Sequence, residues 1–280
     1  MTAPPLTVVA RPFLKWAGGK GQLLGELLAS VAAAGEFGRY HEPFVGGGAL
    51  FFGLVGSLGL KRKACLSDNN RNLIDCYLGL QMNVEGVIEL LKAHKARHGE
   101  EYFYEVRSAA PVTLEERAAR VIYLNRTCYN GLYRENSRGG FNVPFGRYKN
   151  PRICDEESLR ACAKALKRAT VEQRPFESVL DRAKAGDSVY FDPPYVPLSA
   201  TSNFTSYDKG GFGEDSQRRL ADVFAKLTQR GVKVLLSNSE TGLVRELYSD
   251  FTIEVVYATR LLNSRADRRG KIAEVLVRNF

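Results

Sequence analysis

The sequence predicts an α/β protein built on a doubly wound, Rossmann-like sheet that carries a helical insertion. Two observations support this fold class. Short apolar runs of strand length alternate with helical stretches on both sides of residues 72–148, an alternation typical of open α/β sheets. Within those limits, helical spacing continues without strand alternation. We therefore expect a sheet domain at residues 1–71 and 151–280, interrupted by an inserted domain at 72–150.

The first predicted unit of the sheet is a strand, a glycine turn and a helix. After a helical stretch at Gly21 to Ala34, Tyr40-His41-Glu42 has the character of a short strand. It runs into Pro43-Phe44-Val45-Gly46-Gly47-Gly48, and Ala49 to Leu54 then suit a buried helix. Glycines allow a ligand to approach the backbone, and a helix N-terminus presents unpaired N–H groups. This pattern is not the GxGxxG fingerprint, and a tight turn alone would also explain it.

The second strand is predicted to end in a carboxylate. The run Ala64-Cys65-Leu66-Ser67 ends at Asp68, twenty residues beyond Gly48. At about this spacing, dinucleotide-binding folds hold ribose hydroxyls with an acidic residue. The alternative role for Asp68 is the N-cap of a helix predicted from Asn72, and the two roles are compatible.

Four further strands are predicted in the second half of the chain, with helical stretches such as Gln217 to Leu227 between them. They comprise residues 188–191, 232–236, 251–257 and 272–277. Ligands of doubly wound sheets bind beyond the carboxyl ends of the strands. The glycine turn, Asp68 and the residues after Phe191 all follow predicted strand ends, which favours a common ligand site.

The segment after Phe191 has the composition of a base-binding site. Asp192-Pro193-Pro194-Tyr195 supplies a carboxylate, rigid backbone carbonyls and an aromatic ring. Such acceptors can hold the N–H bonds of a nucleobase amino group while the ring covers its face, which predicts methyl transfer to an amine. Proline is also an ordinary strand terminator, so this segment alone leaves a purely structural turn open. No cysteine follows a proline, so the Pro-Cys nucleophile of cytosine-carbon methylation is missing.

The loop at residues 125–148 reads NRTCYNGLYRENSRGGFNVPFGRY. Aromatic rings among arginines suit a nucleic-acid interface, because a ring can replace an unstacked base and arginine can pair with guanine in the major groove. A glycine-rich loop packed by its own aromatics is the alternative.

Charge and composition agree with a nucleic-acid partner. Forty basic against thirty-one acidic residues give a net charge of +9. The excess lies in four clusters, namely Lys61 to Lys63, Lys92 to Arg97, Arg117 to Arg138 and Arg260 to Lys271. Each cluster alone is typical of a solvated helix face, but together they favour a polyanion, since phosphate contacts gain from counterion release.

The remaining composition is that of a soluble globular chain, 44% apolar and 25% charged. No run reaches the ~18 apolar residues of a membrane span. The residues from Met1 to Arg11 lack the pattern of a secretory signal, so we expect a cytoplasmic protein. The five cysteines are scattered without a CxxC pair, so neither a zinc site nor a disulfide framework is predicted, and we expect no metal.

Taken together, these motifs resemble those of Dam-type DNA adenine-N6 methyltransferases of the D12 class, from about Arg11 to the C-terminal end. Phe13 to Lys20 resembles the opening motif of the family, and Pro43 to Gly48 resembles its glycine motif. Asp68 resembles its ribose-binding acid, and Asp192 to Tyr195 resembles its catalytic motif, followed by a family-like PLSATSNFTSY stretch at 197–207. The resemblance implies an S-adenosylmethionine-dependent methyltransferase sheet with an inserted helical target-recognition domain.

The resemblance also implies the residues of the site. Asp192, Pro193 and Tyr195 would be catalytic. The residues implied to bind S-adenosylmethionine are Trp16, Lys20, Phe44, Gly46, Gly48, Asp68, Phe176 and Asp192.

For double-stranded DNA, the family implies that the target adenine is flipped out of the helix. Lys15 would approach a base at one edge of the site, Tyr129 would wedge into the stack, and Asn130 would fill the space left by the adenine. Leu132, Arg134 and Pro144 would read bases, while Asn142 and Arg147 would hold phosphates.

The target implied by the resemblance is GATC. The chain departs from the family pattern at two positions. Gly47 stands where alanine is common, a loss of one methyl group. Glu135 stands where an aromatic residue is common and adds a negative charge beside Arg134.

Two alternatives remain open in the sequence. A related motif on the same sheet serves methyltransferases of RNA bases or protein glutamine, but these have no reason to carry the loop from Tyr129 to Arg147. A DNA-binding protein with a vestigial cofactor cleft is the second alternative, and the intact Trp16, Lys20, Asp68 and Asp192 argue against it. Whether a separately encoded restriction endonuclease accompanies the chain is also open, and a monomer suffices for the chemistry.

Overall fold

The computed structural model describes residues 8–16, 18–60, 63–136, 139–196, 212–259 and 271–280. The predictions made for the PLSATSNFTSY stretch, for Lys61 and Arg62, for Arg138 and for residues 260–270 lie outside the described residues. Within the described ranges, no helix is long and apolar enough to span a bilayer.

The strands form a seven-stranded, mostly parallel sheet. Its strands are β1 (Tyr40–Glu42), β2 (Ala64–Asp68), β3 (Ala169–Gln173), β4 (Ser188–Phe191), β5 (Lys233–Ser239), β6 (Thr252–Thr259) and β7 (Lys271–Arg278), in the spatial order β3-β2-β1-β4-β5-β7-β6. β1 pairs in parallel with β2 and β4, β4 pairs in parallel with β5, and β7 is antiparallel to both β5 and β6. The prediction of a doubly wound α/β sheet is confirmed. β4 is buried along its whole length, as expected of a strand covered on both faces.

The helices are α1 (Leu24–Ala33), α2 (Ala49–Ser57), α3 (Arg71–Ala96), α4 (Glu100–Ser108), α5 (Leu114–Thr127), α6 (Glu156–Leu166), α7 (Glu214–Gln229) and α8 (Gly242–Leu247). α3 is longer than predicted and kinks at Asn83, whose backbone is not helical. α5 begins at a capping box, in which Thr113 and Glu116 satisfy each other's backbone N–H groups. These two helices and α4 account for the helical pattern predicted between residues 72 and 148.

The chain divides into two compact units made of interleaved segments. The first unit comprises Met1–Gly19, Gly46–Lys61 and Asn70–Gln173, and it contains α2 to α6 and β3. The second unit comprises Lys20–Val45, Arg62–Asn69 and Arg174–Phe280, and it contains α1, α7, α8 and the other described strands. A functional recognition domain at 72–150 stays a prediction.

Three sequence interpretations differ from the structure. Asp68 is not the N-cap of the next helix, because α3 begins at Arg71 and the Asn70 side chain accepts a hydrogen bond from the Leu73 N–H at 2.9 Å. α6 and β3 were not predicted. β3 is short, and its Ala169, Glu172 and Gln173 carry little strand propensity beside the β-branched Thr170 and Val171.

The core of the second unit follows from the helical period of α7. Leu220, Val223, Phe224 and Leu227 recur at i, i+3, i+4 and i+7, and all are buried. They belong to the same cluster as Val189, Phe191, Val234 and Leu236 from β4 and β5. Each large apolar side chain buried in this way contributes about 1.5 to 3 kcal/mol. The ends of β4 and β5 are thereby fixed relative to each other.

In the first unit, α3 and α5 pack closely. A Cβ atom at Gly79 would lie 2.7 Å from the Ala118 Cβ, so glycine permits the close approach of the two helices. Asp75 on α3 is nearly inaccessible and accepts hydrogen bonds from Arg71 at 2.8 Å and Arg117 at 3.1 Å. The position of α5, and of the loop that follows it, is set by these contacts.

We predict that Tyr248→Phe raises the free energy of unfolding by about 1 kcal/mol, because a buried hydroxyl without a hydrogen bond costs stability. The Tyr248 side chain is fully buried, and its hydroxyl has no partner among the described residues. Urea denaturation measures the change. Tyr190→Phe is the matched control, expected to be destabilising because the Tyr190 hydroxyl bonds Ser237 at 2.9 Å. A loss of stability in Tyr248→Phe would contradict the prediction.

Candidate functional site

Asp192 follows β4 directly, and its carboxylate is held from two sides. The Lys20 Nζ lies 2.8 Å from Oδ1, and the Ser237 hydroxyl donates to the same oxygen at 3.0 Å. The Lys20 side chain is 6% exposed and that of Asp192 is 20% exposed. Burial raises the pKa of Asp192 above its usual value, while the Lys20 ammonium and the Ser237 hydroxyl oppose this rise by stabilising the carboxylate.

Tyr195 is fixed at its hydroxyl and on its ring. The hydroxyl donates to Glu274 Oε2 at 2.6 Å, and the Lys20 Nζ lies 4.4 Å from the ring centroid, within cation–π range. Burial raises the pKa of Tyr195, and the negative charges of Asp192 and Glu274 raise it further. The phenol therefore stays protonated and keeps donating to Glu274.

The backbone after Asp192 is also hydrogen-bonded to the sheet and to α7. The Gln217 side-chain amide donates to the Pro194 carbonyl at 3.1 Å, and the Asn238 side chain donates to Gln217 Oε1 at 3.0 Å. The Ser239 hydroxyl donates to the Val196 carbonyl at 2.9 Å. Side chains of β5 and α7 therefore fix the course of the DPPY segment after β4.

The other sequence-predicted residues of the second unit lie near the ends of its strands. Asp68 closes β2, and its carbonyl accepts a hydrogen bond from the Arg174 N–H at 3.2 Å. Phe44 follows β1, and its ring stacks on that of Phe176 with centroids 5.3 Å apart. Phe176 is only 7% exposed and belongs to the apolar core, so its packing role is evident.

The glycine turn lies in the first unit and requires glycine at two positions. Gly46 and Gly48 have φ values of 46° and 68°, which side chains rarely adopt. A Cβ at Gly46 would lie 3.0 Å from the Trp16 ring, and one at Gly48 would lie 2.6 Å from the Tyr77 hydroxyl. That hydroxyl donates to the Gly46 carbonyl at 3.0 Å. The turn thus brings Trp16 against Gly46, and its second required glycine, Gly48, is the N-cap residue of α2.

Asn125 brings several predicted DNA-binding residues together in the first unit. It is fully buried, accepts the Lys15 N–H at 2.7 Å, and donates to the carbonyls of Lys15 at 2.8 Å and Gly131 at 3.1 Å. The turn that ends at Gly131 carries Tyr129, which is 54% exposed, and Asn130, which has a left-handed φ of 55°. Lys15 and this turn are therefore held against the same buried amide.

Arg134, which is predicted to read a base, is hydrogen-bonded to Asn142, which is predicted to hold a phosphate. The exposed Arg134 donates through Nε to Asn142 Oδ1 at 2.7 Å, and the Asn142 N–H donates to the Arg134 carbonyl at 2.9 Å. Glu135 does not pair with this arginine. Its carboxylate accepts hydrogen bonds from the Tyr133 hydroxyl at 2.5 Å and from Asn72 at 2.8 Å.

Leu132, Pro144 and Arg147 occupy the same loop with different exposure. Leu132 is half-buried, whereas Pro144 and Arg147 are exposed. The Pro144 carbonyl accepts a hydrogen bond from the Tyr129 N–H at 2.9 Å, which joins the two sides of the loop.

Several residues of the site were missed in the sequence, namely Ser237, Glu274, Gln217 and Asn125. One of them had a readable signal. Ser237-Asn238-Ser239 directly follows the apolar residues of β5, as Asp192 follows β4. Glu274 and Gln217 lie inside elements and had no such signal.

Comparison with known proteins gives a consistent result. The family model described as D12 class N6 adenine-specific DNA methyltransferase matches residues 16–262. The Type II methyltransferase M1.LlaDCHI of Lactococcus lactis subsp. cremoris is 44% identical over 278 residues, which cover 96% of this chain and 95% of that protein. The DNA adenine methylase of Escherichia coli (strain K12) is 37% identical over 270 residues, covering 95% of this chain and 94% of that protein. Both relatives therefore match over nearly their full length.

We predict that Gly48→Ala lowers the free energy of unfolding by about 2 kcal/mol more than Gly35→Ala, because overpacking adds to backbone strain. Both glycines have positive φ, at 68° and 70°. A Cβ at Gly48 meets Tyr77 and Phe52, whereas one at Gly35 meets nothing within 4 Å. Thermal or urea unfolding of the two variants gives the comparison. Equal losses would mean that the contacts of Gly48 add nothing to its backbone strain.

Proposed function

The chain belongs to the D12 class N6 adenine-specific DNA methyltransferases, and from this premise we propose that it methylates the adenine of GATC in double-stranded DNA after flipping that base out of the helix. The methyl donor proposed is S-adenosylmethionine. The single observation that supports this proposal best is the constrained Asp192 to Tyr195 segment at the end of β4. We further propose that the protein is of bacterial or phage type and acts on DNA in the cytoplasm.

For methyl transfer, this segment must localise the lone pair on the exocyclic nitrogen of adenine. The exocyclic nitrogen of adenine is a poor nucleophile, because its lone pair is delocalised into the ring. Asp192 and the Pro193 carbonyl would accept its two N–H bonds and favour a pyramidal nitrogen, while the ring of Tyr195 would stack on the base. Placing the nitrogen in line with the donor methyl group contributes several kcal/mol, of the order known for well-oriented reactants.

Asp192 must be ionised to accept the amino group. Burial works against ionisation, and Lys20 together with Ser237 offsets it. Strong base catalysis before methyl transfer is not needed, because the methylated nitrogen becomes acidic and releases a proton afterwards. Asp192 is the nearest acceptor for that proton in this proposal.

The residues present fit S-adenosylmethionine, whose sulfonium supplies an activated methyl group when it is bound. Trp16, Gly46 and Gly48 would hold it, and the positive φ values of the two glycines form the turn that places the Gly46 backbone against the Trp16 ring. Asp68 would bind its ribose hydroxyls, consistent with its place at the end of β2. Lys20, Phe44, Phe176 and Asp192 complete the proposed set.

For DNA recognition, we propose that the 125–148 loop contacts the duplex. The exposed ring of Tyr129 would fill the stack vacated by the adenine and offset part of the few kcal/mol that base flipping costs. Asn130 would occupy the remaining space, and Lys15 would reach a flanking base. Leu132 and Pro144 would contact base edges.

Arg134 is the proposed specificity residue of that loop. Its hydrogen bond to Asn142 holds the guanidinium in one place before DNA binds, and Asn142 with Arg147 would then hold phosphates. The Glu135 carboxylate is hydrogen-bonded to Tyr133 and Asn72, so it does not occupy the Arg134 guanidinium. This arrangement supports guanine reading by Arg134, and GATC stays the proposed target from the family resemblance.

The partner of the protein and its target sequence are both open to experiment. Relatives carry the names Type II methyltransferase and DNA adenine methylase, so a separately encoded restriction endonuclease is one proposed partner. Single-molecule sequencing of DNA from cells that express this chain would map N6-methyladenine. GATC methylation supports the proposed target, and N6-methyladenine in another sequence would refute GATC while leaving the chemistry intact.

Asp192→Ala is expected to abolish methyl transfer, because the amino group of adenine loses its acceptor, while donor binding is largely retained because Asp192 is one of eight residues proposed to hold the donor. Transfer of a tritiated methyl group to a GATC duplex measures the first effect, and calorimetry with S-adenosylhomocysteine measures the second. Asp222→Ala, an exposed carboxylate on α7 that pairs with Lys226, is the matched control. Wild-type turnover in Asp192→Ala would refute the assignment.

Methylation of RNA but not DNA by the wild type would favour an RNA-directed enzyme.

For Arg134→Ala, we expect relaxed sequence choice with a loss of ~1 to 3 kcal/mol in discrimination between GATC and single-base variants, as for removal of a guanine contact. The measurement is the ratio of kcat/KM values on cognate and near-cognate duplexes. Arg160→Ala on α6 is the control, since Arg160 is an exposed arginine engaged with Glu85 and Glu156. Unchanged discrimination in Arg134→Ala would show that another residue reads the base.

A further inference from the structure

A chain of buried hydroxyl groups leads from the interior of the sheet to Asp192. The Tyr190 hydroxyl lies 2.9 Å from the Ser237 Oγ, and Ser237 donates to Asp192 Oδ1 at 3.0 Å. Tyr190 is 1% exposed and Ser237 is fully buried. Because a serine has one hydroxyl proton and gives it to the carboxylate, Tyr190 must be the donor in its bond to Ser237. The direction of both hydrogen bonds is therefore defined.

The two contacts fall on one oxygen of the carboxylate. Lys20 and Ser237 both bind Oδ1, and among the described residues no group donates to Oδ2. A carboxylate held at one oxygen by two donors cannot rotate freely, so the second oxygen keeps a constant direction. That second oxygen is the one left to accept an N–H bond from a substrate amine.

Ser237 is better suited than Lys20 to set this direction. Lys20 reaches Asp192 through four flexible methylene groups, and its ammonium is a point charge without a preferred plane. Ser237 has a short side chain on β5, and β5 pairs in register with β4 at Tyr190 and Phe191. Its hydroxyl is thus placed by the sheet itself, and Tyr190 fixes its rotation.

We propose that Ser237 and Tyr190 are positioning residues that orient the Asp192 carboxylate so that Oδ2 faces the amino nitrogen to be methylated. This inference rests on the proposed function, since it assumes that Asp192 accepts the amine. It assigns a role in the methyl-transfer step to two residues outside the DPPY segment and outside the family resemblance.

The test is single-turnover methyl transfer with saturating DNA and donor in four variants. Ser237→Ala is expected to slow the chemical step roughly ten- to a hundredfold, as for loss of a hydrogen bond to a charged group. Ser237→Thr keeps the hydroxyl and is expected to recover most of that loss. Tyr190→Phe is expected to slow the step about threefold, the order of one neutral hydrogen bond. The double variant Ser237→Ala/Tyr190→Phe is expected to equal Ser237→Ala, because Tyr190 acts through Ser237.

The pH profile of the single-turnover rate is a second measurement, and a merely structural role of Ser237 would not shift it. The ionisable groups around Asp192 are Lys20, Tyr40, Tyr190 and Tyr195, with Glu42 and Glu274 beside these tyrosines. Loss of the Ser237 hydrogen bond removes one stabiliser of the carboxylate, so the acid limb of the rate profile is expected to move to higher pH in Ser237→Ala. In Ser237→Thr the limb is expected to stay near its wild-type position.

Two controls separate the possible failures. Tyr248→Phe removes a buried hydroxyl that has no partner among the described residues and is expected to retain the wild-type rate. If Asp192→Ala is inactive while Ser237→Ala has the wild-type rate, the positioning role is overturned and the proposed function stands. If Asp192→Ala is fully active, the proposed function itself fails. Should Ser237→Ala not fold, Tyr190→Phe carries the test, and its wild-type rate would overturn the proposal.

Discussion

The proposed chemistry depends on one half-buried carboxylate that must stay ionised and correctly oriented. Burial raises the pKa of Asp192, and the fold compensates with an ammonium from Lys20 and a hydroxyl from Ser237. Tyr195 is fixed in turn by Glu274. These groups come from β5, β7, the segment after β4 and the turn before α1, so the register of the sheet is itself a requirement of the proposed chemistry. A slip of one residue in β5 would turn Ser237 to the opposite face.

The fold class and the DPPY segment were predictable because their signals are local. A buried run followed at once by Asp192 is visible in the sequence, as is the glycine turn whose positive φ values demand glycine. For Ser237 the position after the apolar residues of β5 was readable but its partner was not, and for Glu274 neither was readable. They lie 45 and 79 residues from their partners Asp192 and Tyr195, and they meet them only through strand pairing. The antiparallel insertion of β7 between β5 and β6 has no signature in hydrophobic periodicity.

The loop at residues 125–148 shows how a local interpretation of charge can mislead. Glu135 follows Arg134 in the chain, which suggested that the two charges would interact. Neighbours along an extended segment point to opposite sides, and Glu135 instead accepts hydrogen bonds from Tyr133 and Asn72. The residue that engages Arg134 is Asn142, eight positions away. An isolated antiparallel bridge between Glu135 and Phe141 places their chain neighbours Arg134 and Asn142 side by side. Sequence spacing alone did not indicate this pairing.

The position of Glu274 in the chain has a consequence for biosynthesis. β7 is the last of the described strands to leave the ribosome, although it pairs in the interior of the sheet between β5 and β6. The register that sets Glu274 opposite Ser239 therefore forms only after every other described strand has been synthesised. Until then the Tyr195 hydroxyl lacks its acceptor, so a nascent chain completes this hydrogen bond only after β7 has been synthesised.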